Sequence, residues 1–213
     1  MALRTLRSLS RHSSTYASLN GVPTPAASLK CSIWDVTFQR GDGVFEAVRV
    51  VQDRDGMPAP RAVPLHLDRL ERSASALELP LPPRAHLESW LRDAARNGGE
   101  GGYVRLMVTR GGGAPGYGHH LPDLDAPPNA YCVWQPINED DSKTFALEPM
   151  CAPWHPAGFS KDWATIKWLA YGANMHSARL ARRQGADDAL LLARGHGVAD
   201  DGPLSDRAVL DGP

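Results

Sequence analysis

The feature that most constrains the fold is a change of hydrophobic period between residues 44 and 77. Val44–Val51 is rich in β-branched residues and carries apolar side chains on one face, which Glu46 shares. This pattern predicts a strand. The turn-forming segment Asp53–Pro58 follows it, and a second short strand at 61–64 would close a hairpin. The chain is therefore predicted to start a sheet with a hairpin.

The period then becomes helical. Residues 65–77 place apolar side chains on one helix face, namely Leu67, Leu70, Ala74 and Leu77. Three prolines within Glu78–Pro83 interrupt that helix. Residues 84–97 predict a second helix, which Gly98 and Gly99 end. The apolar faces of these two helices must be buried, and a sheet that extends the hairpin would provide the surface.

Further strands supply that sheet. Cys31–Phe38 alternates roughly and predicts a strand before the hairpin, and residues 103–109 and 130–137 predict two strands after the helices. Between these two, residues 111–118 are rich in glycine and residues 119–129 carry no periodicity, so both are predicted to be loops.

The last third of the chain predicts part of a second domain. An acidic segment at 138–142 marks the boundary, and residues 144–154 predict a strand. Residues 169–184 predict a helix that Gly185 ends, and 188–193 predicts a buried strand. We therefore expect an α+β (α/β) chain with a small domain at 17–138 and a partial larger one at 139–213.

Composition excludes several classes of protein. The 213 residues are 42% hydrophobic and 22% charged, as in globular proteins, and the net charge of −1 argues against nucleic-acid binding. No apolar run approaches the ~18 residues of a membrane span. The 3 cysteines form no CxxC pair, which favours a reducing compartment over a disulfide scaffold or a zinc module.

The N-terminus has a composition of its own. Residues 1–34 contain no Asp or Glu, and residues 1–16 combine arginines with several Ser and Thr. This is typical of a mitochondrial or plastid transit peptide. The alternative is a short disordered start, in which case a cytoplasmic location is expected.

Lys167 is the lysine most suited to chemistry. The chain has only four lysines, and Lys30, Lys143 and Lys161 lie in polar or loop-forming surroundings, whereas apolar residues flank Lys167. Desolvation lowers the pKa of an amine and makes it a nucleophile. The alternative is a lysine that extends its ammonium group from an apolar edge into water. The residues alone leave both open.

Three motifs, taken together, resemble one family. They are QRGDGVFEAVR at 39–49, HLDRLERSA at 66–74, and Ile166-Lys167 followed by a helix and GADDALLL at 185–192. Their order and spacing resemble the class IV pyridoxal-phosphate aminotransferases, which include branched-chain and D-amino-acid aminotransferases and aminodeoxychorismate lyase. The resemblance implies a two-domain fold-type IV enzyme, of which this chain carries a small α/β domain and the beginning of a barrel-like domain.

The resemblance also implies roles for individual residues. Lys167 corresponds to the lysine that forms the internal aldimine with pyridoxal 5'-phosphate and then shuttles protons. Arg69 corresponds to the arginine that binds the cofactor phosphate, and its alternative is a surface helix arginine. Phe45 falls at an aromatic position over the substrate pocket, with core packing as the alternative. Tyr171 resembles a tyrosine near the cofactor, four residues beyond the lysine.

Other candidates are Asp211, Arg110 and His119. Asp211 stands where relatives have a glutamate paired with the pyridine nitrogen, after an apparent insertion at 196–207. Arg110 follows a strand and is a candidate to bind a substrate carboxylate. His119 could contact substrate across a dimer, and its pairing with His120 does not suit a metal site, because adjacent histidines on an extended chain point apart.

The implied reaction moves an amino group between an α-amino acid, of branched-chain or D type, and a 2-oxo acid. The implied assembly is a homodimer. Two alternatives remain: a lyase that expels pyruvate from aminodeoxychorismate, and a truncated, non-catalytic relative.

Overall fold

A computed structural model describes residues 15–112, 126–137, 144–152, 166–193 and 207–209. Alternating apolar strands build a six-stranded antiparallel sheet with the order β2-β1-β6-β5-β3-β4. Its strands are β1 (Ala17–Leu19), β2 (Val22–Pro23), β3 (Gly43–Gln52), β4 (Pro58–Pro60), β5 (Gly102–Thr109) and β6 (Asn129–Pro136). The helices among them are α1 (Val36–Arg40), α2 (Val63–Ala76) and α3 (Arg84–Gly98).

A three-stranded sheet follows in the order β7-β8-β9. It consists of β7 (Leu147–Cys151), β8 (Asp188–Ala193) and β9 (Arg207–Val209), with helix α4 (Gly172–Arg183) between β7 and β8 in sequence. Strands β7 and β8 pair in parallel, so the chain must cross over between them, and α4 belongs to that crossover. Lys167 lies in the same connection, just before α4.

The main core lies between the six-stranded sheet and the helices α2 and α3. Even-numbered residues of β3, β5 and β6 point into it, and they meet Leu67 and Leu70 of α2 and Leu87 and Leu91 of α3. The odd-numbered residues of these strands share the opposite face of the sheet, where Phe45, Met107 and Tyr131 are cross-strand neighbours. The lysine segment pairs with the edge of β3, and the Lys167 side chain lies on this second face.

The long periodic segments confirm the sequence predictions. The hairpin β3–β4, helices α2 and α3, strands β5 to β8 and helix α4 all lie within a few residues of the predicted bounds. The second hairpin strand comes earlier, at Pro58–Pro60, because α2 begins at Val63 with a proline in its first turn. Strand β8 is less buried than predicted, since only Leu191 is fully buried among its described side chains.

The predicted strand at Cys31–Phe38 is wrong. Asp35 accepts a hydrogen bond from the backbone N–H of Thr37 and caps the short helix α1, which Gly41 ends at φ 75°. The alternation did not mark a buried face, because Ile33 is 64% exposed and Phe38 is 66% exposed.

Strands β1 and β2 were not predicted. Asn20 and Gly21 connect them with φ of 51° and 80°, the left-handed conformations that a tight hairpin turn requires. Gly21 also has no room for a side chain, because a Cβ there would lie 2.1 Å from Nε1 of Trp90. The Asn-Gly pair was the available sequence signal for this hairpin.

Several predictions fall outside the described residues. They are residues 1–14 of the predicted transit peptide at 1–16, the domain boundary at 138–142, residues 196–206 of the insertion at 196–207, and the residues His119 and Asp211. The division into domains at 17–138 and 139–213 stays a prediction. No helix among the described residues has the length and apolar character needed to cross a membrane.

Candidate active site

The lysine segment pairs with the first residues of β3. The Phe45 N–H donates to the Lys167 carbonyl at 3.0 Å, and the Leu169 N–H donates to the Gly43 carbonyl at 2.8 Å. Val44 and Trp168 face each other in this antiparallel bridge. Two motifs more than a hundred residues apart in sequence are thereby joined at one point of the fold.

Glycines at 41 and 43 allow this close approach. Gly41 has a positive φ of 75°, and a Cβ on it would lie 2.7 Å from the Cβ of Ala170. A Cβ on Gly43 would lie 2.8 Å from the Val108 carbonyl oxygen and 2.9 Å from a methyl of Leu169. All three distances are shorter than packed atoms allow. The lysine segment therefore packs directly against the Gly-Asp-Gly motif.

The Lys167 amine lies against two aromatic rings. Its Nζ is 4.5 Å from the centroid of the Phe45 ring and 6.0 Å from that of Tyr171. The two rings meet edge to face, with centroids 5.4 Å apart and planes at 80°. Phe45 is buried, and Lys167 and Tyr171 are half-buried. An amine in this place is reachable from solvent and is held beside flat apolar surfaces.

Arg69 is held by a buried carboxylate. Its Nε and Nη2 donate to the two oxygens of Glu46, each at 2.6 Å, and Nδ1 of His66 lies 2.8 Å from the same carboxylate. Glu46 is fully buried, whereas the Arg69 side chain is 39% exposed. The bidentate pair fixes one edge of the guanidinium and leaves part of the group at the surface. This explains why a glutamate shares the apolar face of β3.

Ionisation of Glu46 contributes to stability. Burial opposes the charge, but the hydrogen bonds and charges of Arg69 and His66 outweigh that cost and hold the pKa of Glu46 below its ordinary value. A carboxyl with a lowered pKa stabilises the fold above its unfolded pKa, and this contribution is lost as the pH falls through the folded pKa.

Replacement of Glu46 should therefore change how the free energy of unfolding depends on pH in the acid range. We expect the free energy of unfolding of Glu46→Gln to fall furthest below that of the wild type near neutral pH. The difference should shrink below pH ~4.3, where the unfolded carboxyl takes up its proton. Urea unfolding at a series of pH values measures it. The control is Glu88→Gln at the surface, where a small, nearly constant difference is expected. A pH-independent difference for Glu46→Gln would contradict the argument.

The structure places Arg110 in the core instead of at an open site. Its guanidinium forms an ion pair with Asp42 and donates to the backbone carbonyls of Leu77 at 2.8 Å and Glu78 at 3.0 Å. The side chain is only 3% exposed. These contacts tie the Gly-Asp-Gly turn to the end of α2, so they favour a structural role over the predicted binding of a substrate carboxylate.

Arg105 is the arginine that the sequence analysis missed. It lies on the face of β5 opposite the core, and its Cζ is 4.4 Å from the centroid of the Phe45 ring. Lys167 and Arg105 thus both contact this ring. The signal was available in the sequence, because Arg105 alternates with Val104 and Leu106, which mark the opposite, buried face.

Tyr171 reaches the site in a way that helical spacing did not predict. It is the N-terminal flanking residue of α4 and lies outside the helix, and its ring contacts Phe45. Among the described residues no group of His, Cys, Asp and Glu side chains has the arrangement of a metal site. On the Phe45 face the described site therefore consists of the Lys167 amine, the Arg105 guanidinium and two aromatic rings, and Arg69 is bound by Glu46 on the other face of β3.

Comparison with known proteins identifies the family of the chain. The family model for class IV amino-transferases matches residues 43–199. The chain belongs to the class IV aminotransferase family. The match begins at the Gly-Asp-Gly turn and includes Arg69, Arg105 and Lys167.

Two curated relatives and one solved structure show how far the similarity extends. A bifunctional aminodeoxychorismate lyase / D-amino acid transaminase of Mycobacterium tuberculosis is 30% identical over 190 residues, which are 80% of this chain and 57% of the relative. A putative branched-chain-amino-acid aminotransferase of Methanocaldococcus jannaschii is 29% identical over 183 residues, 82% of this chain and 58% of the relative. A fold IV transaminase of Curtobacterium pusillum superposes with a TM-score of 0.66 at 26% identity, over 84% of this chain and 64% of that structure.

The chain thus spans between 57% and 58% of the length of these two curated relatives. The structural match confirms the predicted fold-type IV architecture.

Proposed function

We propose that the chain acts in pyridoxal-phosphate-dependent transamination between an α-amino acid and a 2-oxo acid. The observation that carries the proposal is the Lys167 amine, which lies against Phe45 and Tyr171 while its peptide group is paired with β3. The described residues suit the cofactor: a primary amine for its aldehyde, a partly exposed guanidinium for its phosphate, and aromatic surfaces for its ring. When bound, pyridoxal phosphate supplies the electron sink that the reaction requires.

Each side chain then has a distinct task. Lys167 would hold the cofactor through its amine, and the same Nζ would carry the proton at the substrate α-carbon. Arg69 holds the phosphate, since Glu46 fixes the orientation of its guanidinium. Arg105 offers a positive charge to a substrate carboxylate beside Phe45. Asp211 remains the candidate for the pyridine nitrogen, although it lies outside the described residues.

A transamination assay tests this proposal. The protein is incubated with pyridoxal phosphate, 2-oxoglutarate and a panel of branched-chain L-amino acids and D-amino acids. We expect glutamate and the matching 2-oxo acid to appear in equal amounts. The amino acid that reacts fastest identifies the substrate class. Cofactor binding without any amino transfer across the panel would count against it.

A lyase is the second candidate, because one relative carries both activities in its name. Both reactions need the same lysine, so only their products distinguish them. Release of pyruvate from aminodeoxychorismate without any oxo-acid acceptor would assign the lyase reaction, and the same result with no amino transfer across the panel would overturn the transaminase assignment.

We also propose that the chain forms a homodimer. Three large apolar side chains around α1 are exposed in the described chain, namely Ile33 at 64%, Trp34 at 43% and Phe38 at 66%. Clustered exposed apolar residues mark contact surfaces. We expect sedimentation analysis to give a dimer for the wild type and a monomer for Phe38→Asp. The matched control Leu65→Asp, at a residue 70% exposed on α2, should remain dimeric. A monomeric wild type would contradict the proposal.

A further inference from the structure

We propose that Ser73 is a positioning residue that sets the place of Lys167 relative to Arg69. This inference rests on the proposed function for its consequence, but its structural basis is independent of any cofactor. Ser73 is on α2, is 1% exposed, and contacts the lysine segment directly.

The hydroxyl of Ser73 makes two hydrogen bonds. It accepts from the backbone N–H of Lys167 at 3.1 Å and donates to the backbone carbonyl of Arg69 at 2.8 Å. Arg69 and Ser73 are four residues apart and therefore lie on the same side of the helix. The serine thus connects the turn that carries the guanidinium to the peptide that carries the amine.

These contacts belong to a closed hydrogen-bond network. The Lys167 carbonyl accepts from the N–H of Phe45, and the next residue in β3, Glu46, holds the guanidinium of Arg69. The path from Lys167 through Ser73 to Arg69, and back through Glu46 and Phe45, uses only hydrogen bonds and adjacent residues. The N–H and the carbonyl of Lys167 are therefore both fixed, the first by α2 and the second by β3.

Removal of the Ser73 hydroxyl breaks this hydrogen-bond network between α2 and the lysine segment. The Lys167 carbonyl would stay paired with β3, but its N–H would lose the acceptor on α2. A half-buried amide without a partner is unfavourable, so the segment would rotate or admit water. The position of the Lys167 Cα would then no longer be fixed with respect to the phosphate-binding arginine.

The chain supplies a matched control in Ser177. It is also 1% exposed and also donates from a helix to the carbonyl four residues earlier, that of Ala173 at 3.2 Å. The described contacts of its hydroxyl lie within α4. Ser177→Ala therefore removes a buried helical serine and leaves the hydrogen-bond network around Lys167 intact.

Amide hydrogen exchange tests the inference in the absence of cofactor. Ser73→Ala should raise the exchange rate of the Lys167 amide roughly fivefold to tenfold, in line with the loss of one hydrogen bond. Ser177→Ala should leave that rate unchanged, and Ser73→Thr, which keeps the hydroxyl, should restore it. Amides within the β3–β5 ladder serve as a reference for global unfolding.

A second readout concerns the amine. The pyridoxal phosphate concentration needed for half-maximal borohydride-trapped labelling of Lys167 should rise several-fold in Ser73→Ala and stay unchanged in Ser177→Ala. An unchanged Lys167 amide exchange rate in Ser73→Ala, or an equal rise in both alanine variants, would overturn the inference. Absence of labelling in the wild type would instead overturn the proposed function, and the exchange measurement would still decide the role of Ser73.

Discussion

Lys167→Ala should reduce aminotransferase activity roughly 10³-fold, because it removes both the covalent attachment point and the group that moves the proton. The fold should survive, since the contacts that anchor this segment come from the peptide groups of Lys167 and Leu169. Steady-state kinetics with the best donor of the panel measure the loss. Circular dichroism and urea unfolding verify that the variant remains folded.

Two controls sharpen this experiment. Lys167→Arg keeps the positive charge beside Phe45 but cannot supply a neutral amine, so it should be as inactive as the alanine variant. Lys30→Ala removes one of the other lysines and should retain nearly full activity. A Lys167→Ala variant with a tenth or more of the wild-type activity would show that the amine is not the reactive group.

Arg110→Leu should lower the free energy of unfolding by about 3–5 kcal/mol, the usual range when one partner of a buried ion pair is removed. The substitution leaves Asp42 without its cation and leaves the carbonyls of Leu77 and Glu78 without their donor. Because Asp42 is 24% exposed, water can partly replace the arginine there, which favours the lower end of the range.

Arg105→Leu is the matched arginine variant on the same strand. Its half-buried side chain lies on the face of the sheet opposite the core, so we expect a stability change below ~1 kcal/mol. It should instead raise KM for the amino acid, because a charge beside the substrate site is lost. Urea unfolding and kinetics on both variants separate the two roles. A large KM effect with little loss of stability for Arg110→Leu would restore the substrate role that its sequence position suggested.

Periodicity predicted the elements in which many residues agree. In β3 and α2 several apolar residues recur on one face, so the strand, the helix and their common core could be inferred from local pattern alone. Residues 31–38 show where this fails. Their alternation is weak, and one carboxylate, that of Asp35, starts a helix by capping it.

Long-range contacts account for the other differences. Arg105 lies within β5 and Arg110 directly follows it, but only the fold shows that Asp42 and the end of α2 enclose Arg110. The role of Ser73 depends on an amide 94 positions away. Lys167 and Arg69 were predicted as a pair from the family motifs, which carry information about tertiary structure that local pattern lacks.

Covalent capture at Lys167 tests the central claim most directly. The protein is incubated with stoichiometric pyridoxal phosphate, reduced with borohydride, digested and mapped by mass spectrometry. Since the chain has only four lysines, every attachment site can be quantified. We predict close to one phosphopyridoxyl group per chain on the peptide that contains Lys167, with little on Lys30, Lys143 or Lys161. Label spread evenly over all the lysines, or absent from Lys167, would contradict the account.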